Sequence, residues 1–188
     1  EKISLYTSNI NIFKQILSKP SIILIIIYYL VIILILSKNK HYYLILILLI
    51  FHKTIPLYNS NLEVVMFDVG EADSMLISTP SKKVNILIDT GRGIDINNII
   101  IYLKSIGISK LNYLIITHGD EDHIGGALYL IDNFKVDNVI LNKGDYTELE
   151  VELITHLKNK NIKYTNNINK IPLLGSYMYL LNTKKFSN

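Results

Sequence analysis

The 188-residue chain contains no cysteine, and Arg92 is its single arginine. Without cysteine there is neither a disulfide framework nor a thiolate zinc site, so any bound metal must use imidazole and carboxylate. The absence assigns no redox compartment. An excess of basic charge is also missing from the larger part of the chain. Residues 61–188 carry 13 basic and 15 acidic side chains, whereas residues 1–60 carry six lysines against Glu1. The net charge of +3 therefore originates at the N-terminal end, and residues 61–188 present no basic footprint for nucleic acid. Phosphate recognition there would depend on a bound metal and local donors.

Charge is absent altogether from residues 20–37, where fifteen consecutive apolar side chains, 22–36, follow one another. A bilayer span takes about 20 such residues, with a lower limit near 17. The run is read as a transmembrane helix over residues 20–37, with Lys19, Lys38 and Lys40 placed to reach the headgroups. A second apolar run, 42–51, is too short to span unaided and is read as a thin tilted or interfacial helix reaching to residue 58. His41 and His52 are placed at the membrane interface. The polar hinge Asn59-Ser60-Asn61 closes this membrane segment, 1–60, and a second domain occupies 61–188.

Beyond the hinge the pattern changes to strands at 62–69, 74–79 and 84–89, separated by turns. The spacing of Ile96, Ile99, Ile100 and Leu103 predicts a helix over 95–106, capped by Asp95 and stopped by Gly107. A strand over 111–117 and a helix over 123–134 follow. A short strand at 138–141 leads to a helix over 147–159, whose start Thr147-Glu148-Leu149-Glu150 has the form of a capping box. His156 on that helix is read as a surface residue, and 162–165 and 177–181 as further strands. Hairpins first, with strand–helix alternation afterwards, predict a layered α/β domain with a mixed sheet.

The chemistry is concentrated in Thr117-His118-Gly119-Asp120-Glu121-Asp122-His123-Ile124-Gly125-Gly126. His118, Asp120, Asp122 and His123 follow a buried-strand pattern, and two imidazoles with two carboxylates at a strand end can converge on one cation. The glycine pair is expected to let the backbone pass close to that ion. The alternative is a helix N-terminus with favourable acidic charges. Both hold together if Asp120 starts the helix while Asp122 and His123 face the metal.

Three segments in this order resemble the metallo-β-lactamase fold: Phe67-Asp68-Val69-Gly70-Glu71-Ala72-Asp73-Ser74, Ile86-Leu87-Ile88-Asp89-Thr90-Gly91, and the histidine segment itself. The first of them, and Asp120 where most members carry a further histidine, are most similar to the C-terminal domain of ComEC-type competence channels. In that family such a domain directly follows a bundle of transmembrane helices. Glu71-Ala72 stand where the family has Gln-Gly. The later Thr-Gly-Asp and His-His-Gly-Ser segments, which supply a bridging Asp and a further His, do not occur before Asn188. The chain is accordingly expected to be the N-terminal part of an αββα sandwich, a fragment or decayed copy of a longer protein.

The resemblance implies metal-assisted cleavage of DNA phosphodiesters during DNA uptake, at the outer face of a bacterial plasma membrane. It implies one or two divalent ions, Mn or Zn, held by His118 with Asp120 and by Asp122 with His123. Asp122 would orient or deprotonate the attacking water. Asp89 would hydrogen-bond a ligand imidazole from behind, or only cap its turn. Asp68 and Asp73 bracket a turn and are either structural or part of the site's surroundings. Arg92 would hold a phosphate, or lie solvated. The implied partners are DNA, membrane lipid and an uptake machinery, with the oligomeric state left open. Three other readings stand beside this one: a hydrolase of small esters, lactams or thioesters on the same fold, an inactive membrane transport component, and an inert truncated product.

Overall fold

Three short strands, β1 (Glu63–Met66), β2 (Met75–Ser78) and β3 (Asn85–Ile88), form an antiparallel meander in the computed structural model, which describes residues 16–38 and 41–180. Their register runs Glu63↔Ser78 and Met75↔Ile88. The link from β2 to β3 is tight because Ser81 and Lys82 both adopt positive φ (59° and 54°) and the Val84 N–H donates to Thr79 Oγ1 at 2.9 Å. From β3 onward the strands are parallel, in the order β3, β5 (Tyr113–Ile115), β7 (Asn138–Ile140) and β8 (Lys163–Thr165), and complete a mixed six-stranded sheet. Parallel neighbours need crossovers, and helices supply them. These are α3 (Ile96–Ser105), then α4 (Glu121–Ile124) with α5 (Ala127–Asn133), and α6 (Glu148–Asn159).

Successive strand residues point to opposite faces, so each central strand serves two cores. Leu87, Leu114 and Val139 meet Ile99, Leu103, Leu130 and Leu153 of the helices. Ile86, Ile115 and Ile140 face the other way, onto fully buried Ile171. That residue lies on β9 (Lys170–Leu173), which pairs with β10 (Ser176–Tyr179) in a separate hairpin turned at Gly175 (φ 76°). The layered α/β reading is correct. The strand at 170–173 is missed in the sequence because Pro172 interrupts it, a residue tolerated only at a sheet edge. The last residue of the expected strand 177–181 lies outside the described residues.

Two other segments differ from expectation. The run 111–117 is two short strands, β4 (Lys110–Leu111) and β5, separated at Asn112, whose Oδ1 accepts from the Asn85 N–H at 2.9 Å. β4 pairs in parallel with β6 (Lys135–Val136). The expected helix 123–134 is broken into α4 and α5 at Gly125-Gly126. The Gly126 N–H leaves the helical path to donate to Gly91 O and Thr90 Oγ1, both at 3.1 Å. The expected cap at Asp95 occupies the N-cap position without a side-chain bond, whereas the Thr147–Glu150 capping box is complete.

At the N-terminal end lie α1 (Ile22–Lys38) and α2 (Tyr43–Thr54). At about 1.5 Å per residue, the 17 residues of α1 reach about 25 Å, short of a hydrocarbon core of about 30 Å. Among the described residues no helix is long and apolar enough to cross a membrane, so the transmembrane expectation over 20–37 and 42–58 is not borne out there. Lys40 lies outside the described residues. His52 is also not an interface residue: it is buried, with Nε2 2.9 Å from Ser18 O and Nδ1 3.2 Å from the Tyr28 hydroxyl. The segment is tied to the sheet domain through Lys19 N–H to Ser105 O (2.6 Å) and Ser81 N–H to Asn59 O (2.6 Å).

Candidate metal centre

The site is built where the parallel strands end. β3 delivers Asp89 and β5 delivers Thr117 side by side, because the Asp89 N–H donates to Ile115 O at 2.8 Å. Asp89 takes a positive φ of 56°, which a non-glycine residue adopts at a cost of about 1 kcal/mol or more. That turn buries its carboxylate under the loop. Oδ1 accepts from the Thr117 N–H at 2.8 Å. Oδ2 accepts from the Thr117 hydroxyl at 2.7 Å and from His123 Nδ1 at 2.9 Å.

These contacts determine which imidazole nitrogens remain free. A carboxylate only accepts, so the Nδ1 of His123 donates to Asp89 and Nε2 is the nitrogen left facing the site. The Thr117 hydroxyl has one hydrogen, and Asp89 takes it. Its oxygen, 3.0 Å from His118 Nδ1, therefore accepts from that nitrogen, and His118 too turns Nε2 away from its anchor. One buried carboxylate thus orients both histidines, directly for His123 and through a hydroxyl for His118. Asp89 bonds the His123 ring, and Thr117 is a participant that its place in the sequence did not mark.

Both free nitrogens lie beside carboxylates. His118 Nε2 is 3.5 Å from Asp120 Oδ2, and His123 Nε2 is 3.5 Å from Asp122 Oδ2 and 3.8 Å from Asp73 Oδ2. Two ligands each about 2.1 Å from a shared tetrahedral ion stand about 3.4 Å apart. Ligand type and pairwise spacing therefore fit a divalent cation. The rings of His118 and His123 lie against each other, with centroids 3.7 Å apart, so the two pairs are neighbours. Among the described residues no group of three or more His, Asp or Glu side chains stands together so that it could hold a metal ion, so the fit is of pairs alone.

The histidine segment is held from three sides. Thr90 Oγ1 donates to His123 O at 2.9 Å, the Asp73 N–H donates to Asp122 O at 3.3 Å, and Thr147 Oγ1 donates to Gly119 O at 3.1 Å. Asp120 is the N-cap of α4, but its side chain makes no capping bond, so capping alone does not account for it. The glycine pair does not serve the approach expected of it. A Cβ on Gly126 would meet Ile96 Cβ at 2.8 Å, and one on Gly125 would meet Glu121 O, so both glycines permit packing against neighbouring backbone and α3.

Of the surrounding residues, Asp73 joins the His123 pair, whereas Asp68 is exposed and no described contact connects it to the histidines. Arg92 is half exposed, with Nη2 3.9 Å from a 95% exposed Glu71 carboxylate, a surface pair of little energetic weight. Glu150, fully buried behind Gly119, carried no functional signal in the sequence beyond its capping-box spacing.

Residues 67–172 match the metallo-beta-lactamase superfamily, which is more than half of the chain. The chain belongs to that superfamily. Its relatives include ComE operon protein 3 of Bacillus subtilis, 33% identical over 115 residues, which are 53% of this chain and 15% of that protein. The chain thus spans a small part of that relative, and its own likeness is to a ComEC-type metallo-beta-lactamase domain. Among solved structures it is similar to a metallo-beta-lactamase from Cronobacter sakazakii, with 24% identity over 44% of this chain and 35% of that one, at a TM-score of 0.35. It is also similar to the metallo-beta-lactamase FIM-1 from Pseudomonas aeruginosa in its mono-zinc form, with 12% identity, 57% and 48% coverage and a TM-score of 0.35.

Proposed function

We propose that this chain carries metal-binding residues of a hydrolase that cleaves DNA phosphodiesters, held at the outer face of a bacterial plasma membrane as in the ComEC family. The observation that supports it most is the anchoring of both Nδ1 atoms, His123 on Asp89 and His118 on the Thr117 hydroxyl, which turns both Nε2 atoms toward Asp120, Asp122 and Asp73. His118 with Asp120, and His123 with Asp122 and Asp73, would hold one or two ions of Mn²⁺ or Zn²⁺. The chemistry such an ion supplies when bound is a water nearer neutrality in pKa and a polarised phosphoryl oxygen. Asp122, with its side chain 40% exposed, can receive a proton from water at the rim of the site. Asp89 and Thr117 keep the two imidazoles from rotating or exchanging tautomers. DNA as substrate is supported by the likeness to ComE operon protein 3.

Membrane attachment is supported by the exposed apolar surface of α1, where Ile22, Ile23 and Leu36 are each more than 70% exposed. The test of the whole reading is metal content by mass spectrometry on the purified chain beside His118→Ala and His123→Ala. One or more Mn or Zn per chain, lost in both variants, is expected. The same metal content in all three, or none in any, overturns it. Hydrolysis of a DNA strand rather than a small lactam by the metal-loaded protein then decides the substrate.

A further inference from the structure

The loop between His118 and Asp120 packs on the start of a helix that is remote in sequence. Thr147, the N-cap of α6, accepts the Glu150 N–H on its Oγ1 at 3.3 Å, and Glu150 Oε2 accepts the Thr147 N–H at 2.9 Å. Glu150 is fully buried, and its other oxygen is held by Asn142 Nδ2. The same threonine hydroxyl donates outward to Gly119 O at 3.1 Å. Gly119 leaves no space over this cap: a Cβ there would lie 2.5 Å from Glu150 Oε2, 2.7 Å from Thr147 Cγ2, and closer still to Thr147 Oγ1. A helix cap needs only its internal bonds. Here it also fixes, by a hydrogen bond and by contact, the one residue that separates two candidate ligands.

We propose that the α6 capping box is a positioning device for the metal centre, with Thr147 and Glu150 as positioning residues that set the His118–Asp120 pair. The inference rests on the metal-site reading above. Glycine is required at 119 because the cap occupies the volume of any side chain, and the 3.5 Å separation of His118 Nε2 from Asp120 Oδ2 follows from that seat. Partners behind metal ligands typically change affinity by 10- to 100-fold when removed.

The experiment uses the 188-residue chain, Co²⁺ alone as the probe, and two substitutions of the exposed cap residue Thr147. Thr147→Val removes the hydroxyl at nearly constant shape, and Thr147→Ser restores it. Thr147→Val is expected to weaken Co²⁺ binding by about tenfold and to shift the visible absorption of the bound ion, with Thr147→Ser recovering both. A second readout needs no metal. The His123 and Ile124 amides donate to Asp120 O at 2.9 and 3.0 Å, and their hydrogen exchange should quicken in Thr147→Val while amides in the last turn of α6 stay unchanged. Wild-type affinity, spectrum and exchange in Thr147→Val would overturn the proposal. Failure of the wild-type chain to take up Co²⁺ would instead overturn the metal reading, and exchange at His123 and Ile124 would then decide the positioning role alone.

Discussion

One histidine is buried in the helical region before the sheet and another is largely covered in the loop that ends β5, and their surroundings differ in one respect. His52 has both ring nitrogens occupied, by Ser18 O at 2.9 Å and by the Tyr28 hydroxyl at 3.2 Å. His123 has Nδ1 fixed on buried Asp89, while Nε2 faces Asp122 and Asp73 at 3.5 and 3.8 Å with no donor between them. A satisfied imidazole is a structural strut. An imidazole anchored at one nitrogen and turned toward carboxylates at the other is arranged as the proposed metal ligand would be. Burial alone would have placed the two together, and the accounting of donors and acceptors separates them.

The strongest way to break that distinction is Asp89→Asn. The amide nitrogen would confront two donors, the Thr117 hydroxyl and the His123 Nδ1–H, so one of them must reverse. If His123 exchanges tautomers, its Nε2 becomes a donor and ceases to be a ligand. We expect metal uptake to fall at least 100-fold and stability to drop by about 2–3 kcal/mol, read by mass spectrometry and denaturant unfolding. His52→Ala is the reciprocal case. Removing a buried, fully bonded ring leaves a cavity and two unpaired polar groups, and should cost about 2–3 kcal/mol of stability with metal content unchanged. Metal loss in His52→Ala, or its retention in Asp89→Asn, would erase the contrast between the two regions.

The contrast was only partly legible in the sequence. His118, Asp120, Asp122 and His123 are adjacent, so their spacing exposed them, and Asp89 was legible from its place at a strand end before Thr90-Gly91. The layered α/β arrangement followed from hairpin spacing and then 3.6-residue periodicity. What stayed hidden depends on groups that meet only through the fold. Thr117 reads as the last residue of a strand until its hydroxyl is seen between Asp89 and His118. Asp73 became part of the site because its backbone N–H seats on Asp122 O, a contact 49 residues apart in number. His52 was misplaced because an apolar run with flanking polar residues reads as a membrane interface, and nothing local shows that Ser18 O lies against its ring.

A smaller effect sharpens the comparison within the loop itself. His123 touches Asp89 directly and its side chain is 12% exposed, while His118 is reached through Thr117 and is 46% exposed. Thr117→Val removes the relay and leaves the His123 anchor intact. The expected result is an about tenfold weaker uptake of one ion, with an imidazole ¹⁵N spectrum in which His118 populates both tautomers and His123 does not. Equal behaviour of the two rings would show that the relay has no part in orienting His118.

The smallest expected effect concerns a third histidine, which has a carboxylate beside it and yet belongs with the struts. His156 Nε2 lies 2.9 Å from Asp132 Oδ1, and Lys160 reaches the same oxygen, joining α5 to α6 at the surface. The hydrogen bonds from Lys160 and then His156 hold the Asp132 carboxyl below its ordinary value of 3.8. A carboxyl depressed in the folded state contributes its full stability above the unfolded value and loses it as pH falls through the folded one. The contribution should therefore disappear on the acid side of 3.8, and melting temperatures of wild type and Lys160→Ala should converge there and differ slightly at neutral pH. Exposure and salt screening keep the difference small. Metal uptake should be the same in both proteins, because this imidazole has a single carboxylate partner and no second ring beside it. A change in metal content would mean that proximity to a carboxylate, rather than a free nitrogen held from behind, is what marks a ligand in this chain.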